Sequence, residues 1–239
     1  MLSANPNIVE QLSRLSSLYP DVRYDSDTGT VSMPYRLNAE FKGCQIVEDY
    51  QLRIVLNDGY PNALPSVYEE SGKICDEFEH RYPDGSLCVG VPGELLMDSP
   101  DGIELAVFID GPVKSCLYSA AFLERYGRYP FGERSHGWRG ILEYYCELFG
   151  VESLRAASSL MGLVATGDYR GSDKCPCGSG KQVWKCHGMM LRELSIDGSR
   201  QVVTDDYIRV ASEAELINRR RRLSEAVRAN LQASRGLIL

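Results

Sequence analysis

Three histidines are all that the 239 residues contain, and basic residues are outnumbered by acidic ones, 26 to 33. The formal net charge is −7, which argues against non-specific nucleic-acid binding. No run of apolar residues was apparent that approaches the roughly 18–20 needed to cross a bilayer. The opening residues MLSANPNIVEQLSR carry neither a basic start nor an apolar signal core. No internal repeat is visible. These absences lead to the expectation of a cytoplasmic protein with no membrane and no nucleic-acid partner. The exception in charge is local: Arg219, Arg220, Arg221 and Arg222 form a basic run, most simply a solvated helix face.

What is present is an ordinary globular composition, 44% hydrophobic and 25% charged. A chain of this length forms a sizeable core without disulfides. In a reducing compartment its eight cysteines are then packed, metal-bound or reactive rather than paired.

Hydrophobic spacing sets the organisation. Ile8, Leu12, Leu15 and Leu18 recur at helical intervals, and Pro20 stops that first helix. From Val22 to about Tyr68 the period shortens toward two, in β-rich runs separated by Gly, Pro, Asn and Asp, which predicts an antiparallel meander. Residues 69–102 are irregular and rich in Gly, Pro, Asp and Glu, the kind of long segment that is usually functional. Helices are expected from about Gly111 to Tyr126, after Gly137, and from Val151 to Val164. The order helix, strands, loop, helices predicts an α+β fold. The polar stretch GDYRGSDK marks a boundary, so the expected units are 1–166, 167–190 and 191–239, the last holding a short hairpin around Leu194 to Val203 and a terminal helix.

Two groups of residues carry chemistry. KCPCGSGKQVWKCHG supplies Cys175, Cys177, Cys186 and His187 within thirteen residues, with Gly178, Ser179 and Gly180 letting the backbone turn sharply. Three thiolates and one imidazole suit a tetrahedral structural Zn²⁺; a redox disulfide is the competing reading, and the adjacent Cys-His pair favours metal. The stretch resembles the SEC-C motif, which implies bound zinc and an interaction module, with no catalysis because all four coordination positions are filled.

The second group is HRYPDGSLCVG, in which Cys88 follows an Asp-Gly turn eight residues after His80. A packed thiol is a frequent fate of cysteine, while the polar surroundings point to partial exposure. Upstream lie Tyr60-Pro61, Pro65 and Val67, and Asp84-Gly85-Ser86-Leu87-Cys88 ends the irregular segment's central run. This pattern, over roughly residues 1–150, resembles the ubiquitin-conjugating (E2) fold in a divergent, bacterial form: a Tyr-Pro-x-x-x-Pro-x-Val turn, then Asn-Gly-x-Ile-Cys at the active site. The family's His-Pro-Asn is replaced around His80, which falls either where the family's oxyanion asparagine stands or, with a two-residue deletion, where its structural histidine does, and the family's Leu-Asp and Trp-Pro after the cysteine are missing.

The resemblance implies a UBC-like four-stranded sheet flanked by helices, with Cys88 accepting a ubiquitin-like protein from an E1-like activating enzyme as a thioester and passing it to an amine of a protein substrate. A thiolate is a good nucleophile and a good leaving group, so no activating triad is required. His80, or the backbone amides of Gly85 and Gly90, are the candidate oxyanion donors. Glu133 and His136, in the polar loop FGERSHG, either orient and deprotonate the incoming amine or, in the alternative, belong to a surface pair and a Ser135 helix cap. Arg139 is ambiguous in the same way. Cys75 is the rival thiol; Cys44, Cys116 and Cys146 read as core. Two other functions fit the same residues: a binding adaptor in which Cys88 is idle, and a cysteine hydrolase pairing Cys88 with His80 or His136 and with Asp84 or Glu133.

Overall fold

The computed structural model describes residues 6–99, 101–131, 135, 137–196 and 198–213, with 215 and 219. The fold is α+β, and its contacts divide the chain into two compact units, Met1–Arg134 and Ser135–Leu239. The division therefore falls between Arg134 and Ser135 rather than at the polar stretch 167–174. Glu133, Arg134 and His136 lie outside the described residues, as do Arg220 to Arg222.

The first unit starts with α1 (Pro6–Leu18), whose Ile8 and Leu15 are buried and whose Leu12 packs half-buried beside them. Four antiparallel strands follow in sequence order, β1 (Arg23–Asp25), β2 (Thr30–Phe41), β3 (Cys44–Val55) and β4 (Ser66–Glu69). Val31, Met33, Tyr35 and Leu37 alternate inward along β2 and pair in register with Ile54, Leu52, Tyr50 and Glu48 of β3. A one-residue slip would turn that whole apolar set to water, so the period of two specifies the register.

The segment read as irregular contains a short helix, α2 (Pro92–Met97), and behind the sheet runs a continuous helix built of α3 (Leu105–Phe108), a π-helical turn (Ile109–Val113) and α4 (Lys114–Tyr126). It begins six residues before the Gly111 start read from the sequence. Gly111-Pro112 looks like a break, but the wider π turn carries Pro112 without ending the helix. With 22 residues and a mean hydropathy of 1.2, it is the one described helix with the length and composition of a membrane span. The expectation that no such stretch exists is thus corrected. Its apolar character has a local cause, because Leu105, Phe108, Ile109, Val113, Leu117 and Tyr118 are buried in the core of this unit.

The second unit pairs α5 (Gly137–Phe149) with α6 (Leu154–Thr166). Ile141, Leu142, Tyr145 and Phe149 form the buried stripe of α5, and Ala157, Leu160, Met161 and Val164 that of α6. Ser153 caps α6 by accepting a hydrogen bond from the Ala156 amide (3.4 Å). A Cys/His loop follows, then α7 (Gly188–Leu194), whose Leu191 and Leu194 are buried. No hairpin occurs around Leu194 to Val203: the chain is helical again over 198–213. Val203 and Val210 bury one face of that stretch, and the buried Tyr145 hydroxyl donates to Asp206 (3.2 Å).

Candidate functional site: a presented thiol and a four-ligand cluster

Cys88 sits on a short ribbon within the irregular segment. Arg81 pairs with Leu87, the Tyr82 amide donates to the Ser86 carbonyl (2.8 Å), and the Cys88 amide donates to the His80 carbonyl (2.9 Å). That register sets His80 and Cys88 directly opposite one another, so the eight-residue spacing brings both to one face of the ribbon. The turn is closed by Asp84, which accepts from the amide and the hydroxyl of Ser86 (3.0 and 2.7 Å) and from the Tyr68 hydroxyl (3.3 Å). The Ser86 hydroxyl and amide hold the exposed Asp84 carboxyl below the usual carboxylate range.

The ribbon is fastened to the sheet by the Leu87 amide, which donates to the Val67 carbonyl of β4 (2.7 Å), and Leu87 itself is buried. From the other side the fully buried Cys116 of α4 points its sulfur at the Cys88 carbonyl (3.8 Å). Burial first, then the neighbouring Cys88, push the Cys116 thiol far up, so it is a neutral packing group. Both main-chain polar groups of Cys88 are thereby held, while its side chain is only half-buried. The backbone is held on both sides, and the residue is neither fully buried nor fully exposed.

The surroundings refine the expected roles. The His80 ring packs against Phe78 (5.4 Å between centroids) and Tyr129 (5.5 Å, edge to face). The Gly85 amide donates to Tyr82 (2.9 Å) inside the turn, so it is not an oxyanion donor. Asp84, a candidate acid for a hydrolase, is already engaged by Ser86 and Tyr68. Cys75 is half-buried against the core, as is Cys44; Cys146 is half-buried, and burial raises its thiol. Glu133 and His136 lie outside the described residues.

Sequence reasoning missed the residue that anchors the far end of this segment. Gln11 of α1 is 92% buried (8% exposed) and its Oε1 accepts from both the Tyr60 hydroxyl and the Leu105 amide, the latter at 2.9 Å. The Ile103 amide donates to the Pro61 carbonyl (2.7 Å), and Tyr60-Pro61 is a cis peptide. Gly102 has φ +94° and a Cβ there would stand 2.8 Å from Pro61, so only glycine fits. A polar residue on the buried stripe of an amphipathic helix was the available signal.

The second cluster lies in the other unit. The Cys175 amide donates to Lys181 (2.8 Å) and Lys174 bridges Gln182, which closes the CPCGSG loop. A 3₁₀ turn at Val183–Lys185 then delivers Cys186 and His187. Gly188 is required by contact: a Cβ would stand 2.9 Å from the Val183 carbonyl oxygen.

The ligand atoms of Cys175, Cys177, Cys186 and His187 all lie within 4.8 Å of one another. Nδ1 of His187 is 3.3 Å from Cys175 and 3.2 Å from Cys186, and the sulfurs of Cys177 and Cys186 are 3.5 Å apart. A tetrahedron with ~2.3 Å metal–sulfur and ~2.0 Å metal–nitrogen bonds has edges of roughly 3.5–3.8 Å, so the set fits a metal ion with little adjustment. No disulfide joins these sulfurs: those of Cys177 and Cys186 stand 3.5 Å apart, against ~2.05 Å in a bonded pair. Burial raises the Cys175 thiol to about 11. At Cys177 burial opposes ionisation, but hydrogen bonds from the hydroxyl and amide of Ser179, together with those of the Cys175 and Cys186 thiols, outweigh it and bring the thiol down to about 6.

Beside the cluster, Tyr169, Val183, Trp184, Met189 and Arg192 line a groove of about 420 Å³, with Trp184 61% and Met189 76% exposed. No protein-family model, curated protein or solved structure matches the chain.

Proposed function

We propose that this chain is an acyl carrier of the ubiquitin-conjugating type, in which Cys88 takes the C-terminal carbonyl of a ubiquitin-like protein from an E1-like enzyme and transfers it to an amine. The observation that carries the reading is the combination at Cys88: both backbone polar groups held, side chain half-exposed, on a ribbon fastened to the last strand of an antiparallel meander. The likeness to the UBC architecture (helix, four-stranded meander, Tyr-Pro turn, long segment, helix) adds support. In the forward step the Cys88 thiolate attacks the incoming thioester, a C–S bond forms and the activating enzyme's thiolate leaves. In transfer an amine replaces the Cys88 sulfur and releases its proton to solvent or a nearby base. His80 stands opposite Cys88 in the ribbon's register and is the candidate for shaping the oxyanion environment.

The Cys/His cluster is read as a structural zinc site. Three thiolates and an imidazole select Zn²⁺ among common ions, and the full coordination leaves no position for substrate. The groove with Trp184 and Met189 would seat a protein partner or substrate.

The adaptor reading, with Cys88 idle, is separated by one experiment. Cys88→Ser and wild-type chain are each isolated from cells making the cognate activating enzyme and ubiquitin-like protein. The carrier reading predicts a wild-type adduct removed by dithiothreitol and a Cys88→Ser adduct that survives it, since an ester replaces the thioester. Adduct absent from both, or unchanged and reductant-sensitive in Cys88→Ser, contradicts it.

A further inference from the structure

His187 has two ring nitrogens with different tasks. Nδ1 faces the sulfurs of Cys175 and Cys186, while Nε2 lies 2.9 Å from the main-chain oxygen of Phe149. A carbonyl oxygen only accepts, so Nε2 must carry the hydrogen, and in the neutral imidazole the lone pair is then on Nδ1. Phe149 is the last residue of α5, and the final carbonyls of a helix have no partner within it. The chain leaves α5 through Gly150 at φ +64°, with the Gly150 amide donating to Glu147 (3.2 Å) and that of Val151 to Cys146 (2.9 Å). The buried Phe149 ring meets the imidazole edge to face (6.2 Å, 81°). On its other side His187 is the residue from which α7 starts, and α7 buries Leu191 and Leu194.

We infer that the metal is bound through Nδ1 of His187 and that Nε2–H clasps the Phe149 carbonyl, so that loading the cluster fastens the end of α5 and the start of α7 to one point. The inference rests on the metal reading of the Cys/His loop given above. Without metal, nothing commits Nδ1, the imidazole is free to change tautomer, and the clasp is no longer enforced. With metal, Nδ1 is committed and Nε2–H has one orientation, the arrangement by which an outer partner orients a ligating imidazole. The cluster is then a clasp for the helices of its own unit rather than a detachable finger.

The test uses the full chain with zinc and with a chelator, and reads hydrogen exchange of the amides of residues 146–151. In the wild type, zinc should slow exchange at the Gly150 and Val151 amides by about tenfold, the factor that one hydrogen bond of ordinary net strength confers. His187→Cys completes a four-thiolate site that still holds zinc but lacks the Nε2 donor. It should bind one zinc per chain and show no such slowing. Slowing equal to the wild type in zinc-loaded His187→Cys overturns the clasp, as does a wild-type segment indifferent to zinc. Long-range ¹H–¹⁵N spectra of the zinc-loaded wild type provide a reading that does not depend on the variant folding: hydrogen on Nε2 supports the inference, and metal on Nε2 refutes it. Failure of the wild type to bind zinc at all would instead bring down the metal reading itself.

Discussion

The ribbon at Cys88 and the loop at Cys175–His187 treat the same side-chain chemistry in opposite ways. In the loop, three sulfurs and a nitrogen converge within 4.8 Å, and each has another ligand atom as its neighbour. On the ribbon, a cysteine has its main chain tied down by His80 and Cys116 while its thiol is left half-open. The contrast teaches that convergence commits thiols to a metal and to stability, whereas fixing only the backbone leaves a thiol available to a reactant. A residue of the first kind is expected to matter to folding, and one of the second kind to chemistry.

The largest effect expected of that contrast is from Cys186→Ser. It removes one ligand of the proposed zinc site; structural zinc contributes roughly 10 kcal/mol or more in small peptides, so on that reading zinc content should fall from one per chain toward zero. The unfolding transition of the second unit should drop by several kcal/mol, as read by calorimetry. Cys88→Ser should sit at the opposite pole, abolishing the reductant-sensitive adduct while shifting stability by no more than about 0.5 kcal/mol, the usual range away from core features. If the two variants behaved alike, the comparison would break.

Between them lies the anchor of the ribbon's segment. Gln11→Ala leaves the Leu105 amide and the Tyr60 hydroxyl without their acceptor, and urea unfolding should show a loss of about 2 kcal/mol in the first unit. Gly102→Ala forces a side chain into a positive φ against Pro61, for a loss of about 1–2 kcal/mol by the same measurement.

The smallest effect is electrostatic. Asp84 is held below its ordinary value by the Ser86 hydroxyl and amide. Because the folded value is the lower one, the stabilisation is present above the carboxyl's unfolded value and is lost as pH falls through the folded value. Ser86→Ala should move the Asp84 titration upward in an NMR pH series and lower neutral-pH stability slightly, a loss that fades as pH falls through the folded value.

The parts legible in the sequence were those written in local period or spacing. Val31, Met33, Tyr35 and Leu37 declare a strand, and Cys175, Cys177, Cys186 and His187 declare a coordination set, because each pattern is complete within thirteen residues. What stayed hidden is made by distant pairs. Gln11 meets Leu105 across 94 positions and His187 meets Phe149 across 38, and no periodicity encodes either. Two misreadings were local. The helix read from Gly111 starts at Leu105, because a π turn carries it through Gly111-Pro112, and the stretch read as a hairpin around Leu194 to Val203 is helical at both ends among the described residues. In both places breaker residues sit inside or between helices whose buried faces, Ile109 and Val113 in one and Leu194 and Val203 in the other, decide the outcome.

Residue-resolved alkylation of the native, zinc-loaded chain with iodoacetamide tests the central distinction most directly. The account predicts that Cys88 is modified first, that Cys116 stays protected until the protein unfolds, and that Cys175, Cys177 and Cys186 react only after the metal is stripped. Modification of the cluster cysteines ahead of Cys88 in the zinc-loaded protein would contradict it.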